Sequence, residues 1–555
     1  MIIGLDVGGT HTDVVLIGKQ GLMRDFKVST DANDLFRTVL AGLTEITRDI
    51  DSSEIRRAVL STTLTTNAVV RSDVDPVGMI VSPGPGVSAE MFRTNEHYYV
   101  ASGSIDHRGR EVEPVNHLEI MDIAAKMKAA GIRNVGVVGK FSVRNPVQEL
   151  AIRDILSRDF GKTFMGHRIS GRLNFPRRIA TTFLNTTVHQ LHKKFYEAVR
   201  ESLAEKGLRI PIHILKADGG AMNFSASVDF PAQTILSGPA ASVMGAIGFA
   251  PASGECLVLD VGGTTTDMAI LSDRVPLLDP LGITLGPYRT LIRALETRSI
   301  GIGGDSAVSV ENGELRIGPD RKGPAMAFGG PHPTPTDAMT LLGLMPGGDA
   351  EAAAAGLRPV AEGLGLSLPD AAARIFDAAC ERILAEAQFM VDEINAKPVY
   401  TVHELKEGLQ VTPREILMLG GPADAFAKCI GAKTDMKVRT VRRWKVANAI
   451  GAALARTTCE VSLIADTQQE MISAPEENYM EPIDRDFTEA QAQEKALDLL
   501  RQKALARGAD PEDLEMEITE HQQFNMVRGF YTAGRNIRIK AQVKPGLIRG
   551  FERMP

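Results

Sequence analysis

Apolar positions along the chain fall into short unbroken runs separated by glycine and polar stretches, and none approaches the ~18 residues of a membrane-spanning helix. Runs at 2–7, 77–81, 135–138, 256–261 and 416–419, rich in Val, Ile and Leu, predict buried strands. Between several of them the apolar spacing changes to that of a helix, which predicts helices over 31–49, 117–130 and 147–158. A longer stripe predicts a helix over 178–206, where Phe183, Val188, Leu191, Phe195, Val199 and Leu203 recur at mostly three- to five-residue steps. Strands and helices alternating in this way define α/β layers. Gly/Pro-rich stretches at 318–335 and 346–348 predict surface loops, and the alanine-rich segment 350–396 predicts helices. After residue 476 the pattern becomes a polar helix over 488–507 and then three strand-like runs ending near Val543, a small α+β unit.

One stretch of this pattern occurs twice. Leu5-Asp-Val-Gly-Gly-Thr-His-Thr-Asp-Val-Val-Leu-Ile17 returns 254 residues later as Leu259-Asp-Val-Gly-Gly-Thr-Thr-Thr-Asp-Met-Ala-Ile-Leu271, identical at eight of thirteen positions. The displacement far exceeds the ~20–50-residue period of a solenoid, so it predicts two similar domains in tandem. Each copy reads as a strand, a Gly-Gly turn and a second strand, at 14–17 or 268–271. At ~150 residues per domain the chain holds three or four units. The expected division is 1–180, 181–475 and 476–555.

The repeated tip carries chemistry. Gly8 and Gly9, like Gly262 and Gly263, let backbone N–H groups approach an anion closely. Thr10, Thr12, Thr264 and Thr265 add hydroxyl donors. The carboxylates Asp6, Asp13, Asp260 and Asp267 would repel a phosphate they faced, so they are read as holding magnesium through water or orienting a nucleophile. A single copy also reads as a glycine hairpin with a capping aspartate, and it is the duplication that favours phosphate. A third glycine cluster, Ile300-Gly-Ile-Gly-Gly-Asp-Ser306, predicts a turn or helix start at a phosphate through Gly303 and Gly304. A fourth, Ile416-Leu-Met-Leu-Gly-Gly-Pro-Ala-Asp-Ala-Phe426, predicts a strand, a turn at Gly420 and Gly421 flat enough for adenine, and a helix opened by proline. Either cluster also fits an ordinary βα loop. Two small-residue segments, 237–248 and 446–455, predict helices that cross closely, as a hinge or as tight interior helices.

Composition narrows the partners. A net charge of −7, pI ≈ 6.0, 44% hydrophobic and 24% charged residues describe an ordinary globular chain without a nucleic-acid footprint. The four cysteines, Cys256, Cys380, Cys429 and Cys459, form no C-x-x-C pair, which argues against zinc or iron–sulfur sites. The first residues lack a basic signal region, so a cytoplasmic location without a membrane partner is expected.

First hairpin, small-residue helix, second hairpin, Leu-Gly-Gly-Pro turn and second small-residue helix resemble, in order, the phosphate-1, connect-1, phosphate-2, adenosine and connect-2 signatures of the actin, Hsp70 and sugar-kinase superfamily. More narrowly, the chain resembles the hydantoinase A/5-oxoprolinase family. The motifs are Gly4-Leu-Asp-Val-Gly-Gly-Thr-His-Thr-Asp13, Thr62-Thr-Leu-Thr-Thr-Asn-Ala68, Lys216-Ala-Asp-Gly-Gly-Ala-Met222, Ser237-Gly-Pro-Ala-Ala-Ser242, Asp260-Val-Gly-Gly-Thr-Thr-Thr-Asp267 and Thr334-Pro-Thr-Asp-Ala338, and the match spans roughly residues 1–460. Two features depart from it: the family's further C-terminal domain is here a short tail, and its glycine-rich turn reads Gly301-Ile-Gly-Gly-Asp305.

The resemblance implies two actin-like, ribonuclease H-like ATPase domains around a nucleotide cleft. It also implies ATP with Mg2+, and ring opening of a cyclic amide of hydantoin or 5-oxoproline type after its oxygen is phosphorylated. A hydantoinase B-type subunit is an expected partner, and a homo-oligomer an expected state. In that scheme Asp6 and Asp260 position magnesium and water, and Asp13 and Asp267 hold the tips or the metal. The glycines and threonines of both tips cradle phosphates, with Gly420 and Gly421 under adenine. Thr65, Asn67, Asp218 and Asp337 are the substrate candidates, although Asn67 also reads as a helix cap and Asp218 as a turn aspartate. His11, in one tip where the other has Thr265, reads as a contact at most. Competing readings are an ATP-dependent ketone carboxylase subunit, a protein-remodelling or reactivating ATPase, and a sugar kinase.

Overall fold

Both Gly-Gly hairpins form, and each founds a sheet of the same strand order. The computed structural model describes residues 1–9, 11–31, 34–279, 281–396 and 410–551. In it, strand Ile2–Val7 pairs antiparallel with His11–Gly18, placing Asp6 opposite Asp13 and Val7 opposite Thr12. On its other side Ile2–Val7 lies parallel to Arg57–Thr62. Gly21–Ser29, Ile212–Leu215 and Ala221–Asn223 complete a six-stranded sheet. The second hairpin, Glu255–Val261 with Thr266–Ser272, places Asp260 opposite Asp267. Its parallel neighbours Glu415–Leu419 and Lys437–Thr440 follow in the corresponding order. The chain is thus α/β, and the likeness of thirteen residues extends to the order of strands in two sheets.

The two-residue period of a strand decides what each sheet covers. Ile3, Leu5 and Val7 face an outer core with Val39 and Leu43 of helix Leu35–Ile46 and Phe195 and Val199 of helix His189–Glu205. Leu257, Leu259 and Val261 likewise pack against Ile375, Phe376 and Ile383 of helix Leu368–Asn395. The alternate residues, Ile2 in one sheet and Cys256 and Val258 in the other, share an inner core with the small-residue helices Ser237–Ile247 and Ala447–Leu454. Glycine is required at this crossing. A Cβ on Gly245 would lie 2.3 Å from the carbonyl oxygen of Ala447, one on Gly451 2.3 Å from that of Ala241, and one on Gly4 2.2 Å from that of Ala449.

A four-stranded parallel sheet, Gly78–Ser82, Tyr98–Val100, Asn134–Gly139 and Lys162–Met165, is flanked by helices His117–Ala129 and Val147–Leu156. The stripe read over 178–206 is two helices, Phe175–Thr187 and His189–Glu205, joined at Val188. Hydroxyls of Thr181, Thr186 and Thr187 bond back to carbonyls three or four residues earlier, an arrangement that bends and ends helices. The three strand-like runs expected after residue 507 are instead two thirteen-residue strands, Met516–Arg528 and Tyr531–Val543. Two register irregularities in this hairpin break the alternation that a sequence pattern relies on.

These strands join Glu460–Asp466, Met471–Ala474 and Tyr479–Pro482 in one sheet, covered by Ala492, Ala496, Leu500 and Ala504 of helix Glu489–Ala506. That sheet straddles the 475/476 boundary drawn from sequence, and the first sheet straddles 180/181 through Ile212–Leu215. Among the described residues no helix is long and apolar enough to cross a membrane.

Candidate functional site

Alternation along the strands puts Asp6 on the inner face with Ile2 and Gly4, and Asp260 there with Cys256 and Val258. Both carboxylates come to Asn448 in the second small-residue helix. The Asn448 amide donates to Asp260 Oδ2 at 3.2 Å and also lies within bonding reach of Asp6. Ser61 donates its hydroxyl to Asp6 Oδ1 at 2.5 Å, and Ser242 donates to Asp260 Oδ2 at 2.5 Å. Across the hairpins, Lys27 Nζ meets Asp13 Oδ1 at 2.5 Å, while Asp267 is supported by Ser299.

Burial is the main force on all four acids. It pushes Asp6 up to about 6, against the bonds from Ser61 and Asn448 and with help from the charges of Asp13 and Asp260. Burial and then the Asp260 charge push Asp267 up to about 7. Asp13 and Asp260 are raised by burial too, opposed by Lys27 in the first case and chiefly by Ser242 and Asn448 in the second. Carboxylates this crowded and poorly hydrated ionise together readily only beside a cation. Among the described residues no three His, Cys, Asp or Glu side chains are grouped to enclose a metal directly. Two carboxylates fit magnesium, which keeps most of its waters and takes one or two carboxylates, and the Asn448 amide would hold both carboxylates in place by donating to them.

Each tip closes on itself. Gly8 N–H donates to the His11 carbonyl at 3.1 Å, Gly262 N–H donates to that of Thr265 at 2.9 Å, and Gly9, Gly263 and Thr264 are exposed at the apices. Thr265 is half-buried, and Thr10 lies outside the described residues. Thr12 does not fulfil the phosphate role read from sequence: it is fully buried and shares a hydrogen bond with Thr30 at 2.8 Å, because it falls on the outer face with Val7. Its counterpart Thr266 likewise donates to the Ile302 carbonyl at 2.7 Å.

Gly303 and Gly304 also depart from expectation. Their N–H groups are engaged within the protein, Gly303 with Ser306 Oγ at 2.8 Å and Gly304 with the Gly262 carbonyl at 2.9 Å. They buttress the second tip from beneath. Gly420, at φ +95°, tucks against the same tip, where a Cβ would lie 2.4 Å from Asp260 Oδ1. Gly421 beside it is open and exposed.

The substrate candidates separate. Asn67 is not a helix cap: it lies inside helix Leu64–Val70, and its amide lies 3.8 Å from where a Cβ on Gly9 would be, next to the first tip. Thr65 is buried with its hydroxyl 3.3 Å from that of Thr234. Asp337 is fully buried in the capping box of helix Pro335–Leu341. Its Oδ2 accepts from Met326 N–H, Thr334 N–H and the Thr334 hydroxyl and its Oδ1 from Ala327 N–H, so the carboxylate is committed to holding the helix start and the turn before it. Asp218 stands away from the tips, in the turn after Ile212–Leu215, and lines a separate cavity.

Several site residues escaped sequence reasoning. Asn448 left a signal, a lone amide within Val446-Ala-Asn-Ala-Ile-Gly-Ala-Ala453, whereas Ser61, Ser242 and Lys27 left none. Asp305 lies over the second tip, its Oδ2 2.8 Å from a Cβ placed on Gly263, and pairs with Arg321 at 3.0 Å. Burial raises its carboxyl, with Arg321 opposing.

Two sheets whose central strands share one order, clasping small-residue helices and bringing paired aspartate–glycine tips to one asparagine, define an α/β protein built around an internal duplication. The chain belongs to the hydantoinase/oxoprolinase family: residues 2–160 match the hydantoinase/oxoprolinase N-terminal region and residues 178–461 the hydantoinase/oxoprolinase domain. The resemblance carried by the sequence motifs is thereby borne out.

Caprolactamase subunit alpha of Pseudomonas jessenii is 24% identical over 419 residues, 67% of this chain and 60% of that protein. Acetophenone carboxylase gamma subunit of Aromatoleum aromaticum is 24% identical over 432 residues, 67% of this chain and 58% of that one. The chain thus spans only 60% and 58% of the length of these relatives. The same fold occurs in the nucleotide-free structure of acetone carboxylase, at a TM-score of 0.74 and 16% identity, covering 99% of this chain and 88% of that one. It occurs again in the ATP-dependent caprolactamase of Pseudomonas jessenii, at 0.70 and 19%, covering 100% and 89%.

Proposed function

We propose that the two sheets are actin-like, ribonuclease H-like halves that bind Mg2+–ATP between their glycine tips and transfer the γ-phosphoryl group to the oxygen of a cyclic amide. Amide resonance makes a lactam carbonyl a poor electrophile, and phosphorylating its oxygen activates the ring carbon: water adds there, the ring C–N bond breaks as the nitrogen takes a proton, and a second water hydrolyses the resulting acyl phosphate to carboxylate and phosphate. The observation that carries the reading is the meeting of Asp6 and Asp260 at Asn448, which joins the duplicated tips into one site. Gly9 and Gly263 are placed to offer backbone N–H groups to phosphate oxygens, and Gly421 an open surface to adenine. Asp6 and Asp260 would hold magnesium through water, and the metal would supply charge neutralisation. The relatives named as subunits support a partner subunit, of hydantoinase B type, for the complete reaction.

A second reading, an ATP-dependent ketone carboxylase subunit, is favoured by the equal 24% identity to the acetophenone carboxylase gamma subunit. One assay separates the two: ATP hydrolysis by the purified chain with hydantoin, 5-oxoproline, caprolactam, acetone or acetophenone. Stimulation by a cyclic amide, reduced at least ~100-fold in Asp260→Ala, supports the first reading, since losing one charge-positioning group costs rates of that order. Stimulation by ketones alone moves the assignment to the second. Stimulation unchanged in Asp260→Ala would sink the site itself.

A further inference from the structure

The turn that carries Asp218 borders a cavity of about 70 Å³ between helix Phe175–Thr187, this turn and the C-terminal sheet unit. That exceeds several-fold the ~10–15 Å³ one water needs, and admits a molecule of roughly five to ten heavy atoms. Its wall holds three acids, and each is satisfied by the protein. Asp218 accepts from Lys216 Nζ at 3.0 Å, Gly220 N–H at 3.0 Å and the Thr458 hydroxyl at 3.1 Å. Glu460 meets Lys540 at 3.0 Å and Arg293 Nη1 at 3.1 Å. Glu476 accepts from Gly171 N–H and faces Lys503 at 3.8 Å.

The lining cations outnumber these acids, five to three, and Arg293, whose Nε lies 3.7 Å from Asp218 Oδ2, keeps one nitrogen unbonded among the described residues. Arg293 Nη2 and Arg168 Nε are buried without a hydrogen-bond partner among the described residues, and both residues line the cavity. Arg507, a third lining cation, rests on the ring of Phe230 at 5.3 Å. A buried guanidinium N–H without an acceptor is costly, and a planar oxyanion is the acceptor its geometry fits. Phe230, Leu291 and Ile292 supply apolar wall for a short carbon chain.

The short turn Pro231–Thr234 stands between the cavity and helix Leu64–Val70: Ala217 N–H donates to the Gln233 carbonyl at 2.8 Å on one side, and Thr234 meets Thr65 at 3.3 Å on the other.

We infer that this cavity is a second binding site, selective for a small organic carboxylate whose oxygens are held by Arg293 and Arg168 while Asp218 fixes Lys216 beside them. It goes beyond the proposed phosphoryl transfer and does not depend on it. The test is calorimetric titration of the intact chain with succinate and, separately, with neutral succinamide, without nucleotide. Saturable binding of succinate but not succinamide is expected, weakened at least ~10-fold in both Arg293→Gln and Arg168→Gln, with near-ultraviolet circular dichroism unchanged in each variant as proof of a native fold. Arg293→Lys keeps the charge but loses the fork, and should bind succinate more weakly than wild type and more tightly than Arg293→Gln. Equal binding of succinate and succinamide, no binding of succinate at millimolar concentration, or undiminished binding in the arginine variants would each overturn the assignment.

Discussion

Asp267 and Asp6 show at single-residue scale what the site asks of its surroundings. Their carboxyls stand at about 7 and about 6, burial being the first cause in both. Both exceed the ~3.9 of a free aspartate, so between about pH 4 and pH 7 the folded, cation-free chain keeps protons that the unfolded chain has lost. These two carboxyls therefore contribute a stability that falls as pH rises through that window and levels off above about pH 7. His192 and His213, lowered by burial to about 3 and about 4, contribute with the opposite sign between about pH 4 and pH 6.5. Asp267→Asn should raise cation-free stability at pH 8 by on the order of 1–3 kcal/mol and remove its share of the fall between pH 5 and pH 8 in thermal unfolding, and an unchanged pH dependence would disprove it. Magnesium needs the ionised carboxylates, so its affinity should increase from pH 6 to pH 8 with release of protons, measurable by titration in buffers of different ionisation heat.

Legibility at this scale depended on repetition. Asp6, Asp13, Asp260 and Asp267 stood out because the segment occurs twice. Thr12, Gly303 and Gly304 were misread because composition does not say which face of a strand a hydroxyl takes or whether an N–H is already bonded. Asp337 was misread because a capping box and a binding carboxylate use the same letters.

At the scale of elements the decisive feature is the crossing of Ser237–Ile247 with Ala447–Leu454. Small residues announced it in the sequence, but not that Asn448 would emerge from it to bridge both hairpins. Gly245→Ala and Gly451→Ala each force a Cβ to within 2.3 Å of backbone, and each should destabilise the chain by about 1–3 kcal/mol in urea unfolding. The double variant should cost less than the sum, because either substitution alone already separates the helices. Full additivity would show that the two glycines do not share one contact. Elsewhere the polar helix read over 488–507 forms as Glu489–Ala506 behind a Thr488–Gln491 capping box, whereas the irregular hairpin after it was not legible, since each register shift moves the apolar face by one residue.

At the scale of the molecule, alternation predicted α/β layers, which are present, and duplication predicted two similar domains in tandem, of which the structure shows two sheets with central strands in the same order. Sequence could not place the boundaries, because long-range strands such as Ile212–Leu215 and Glu460–Asp466 join sheets begun or finished far away in the chain. If the crossing helices are a hinge, Mg2+–ATP should draw the halves together and lower the radius of gyration by on the order of 1 Å in small-angle scattering. Asn448→Ala, which removes the amide shared by the tips, should reduce that change, and an equal contraction in the variant would count against a role for Asn448 in closure.

The duplicated tips carry one more consequence. Two near-copies facing each other offer a bound molecule almost the same surface on both sides, yet an elongated ligand has two unlike ends. Which way round it lies must be written where the copies have drifted apart. His11 occupies one apex where Thr265 occupies the other, and Lys27 stands across from Asp13 where Ser299 stands across from Asp267. On the proposed reading, the orientation of a nucleotide would be set by those mismatched positions together with Gly420 and Asp305, which lie against the second tip.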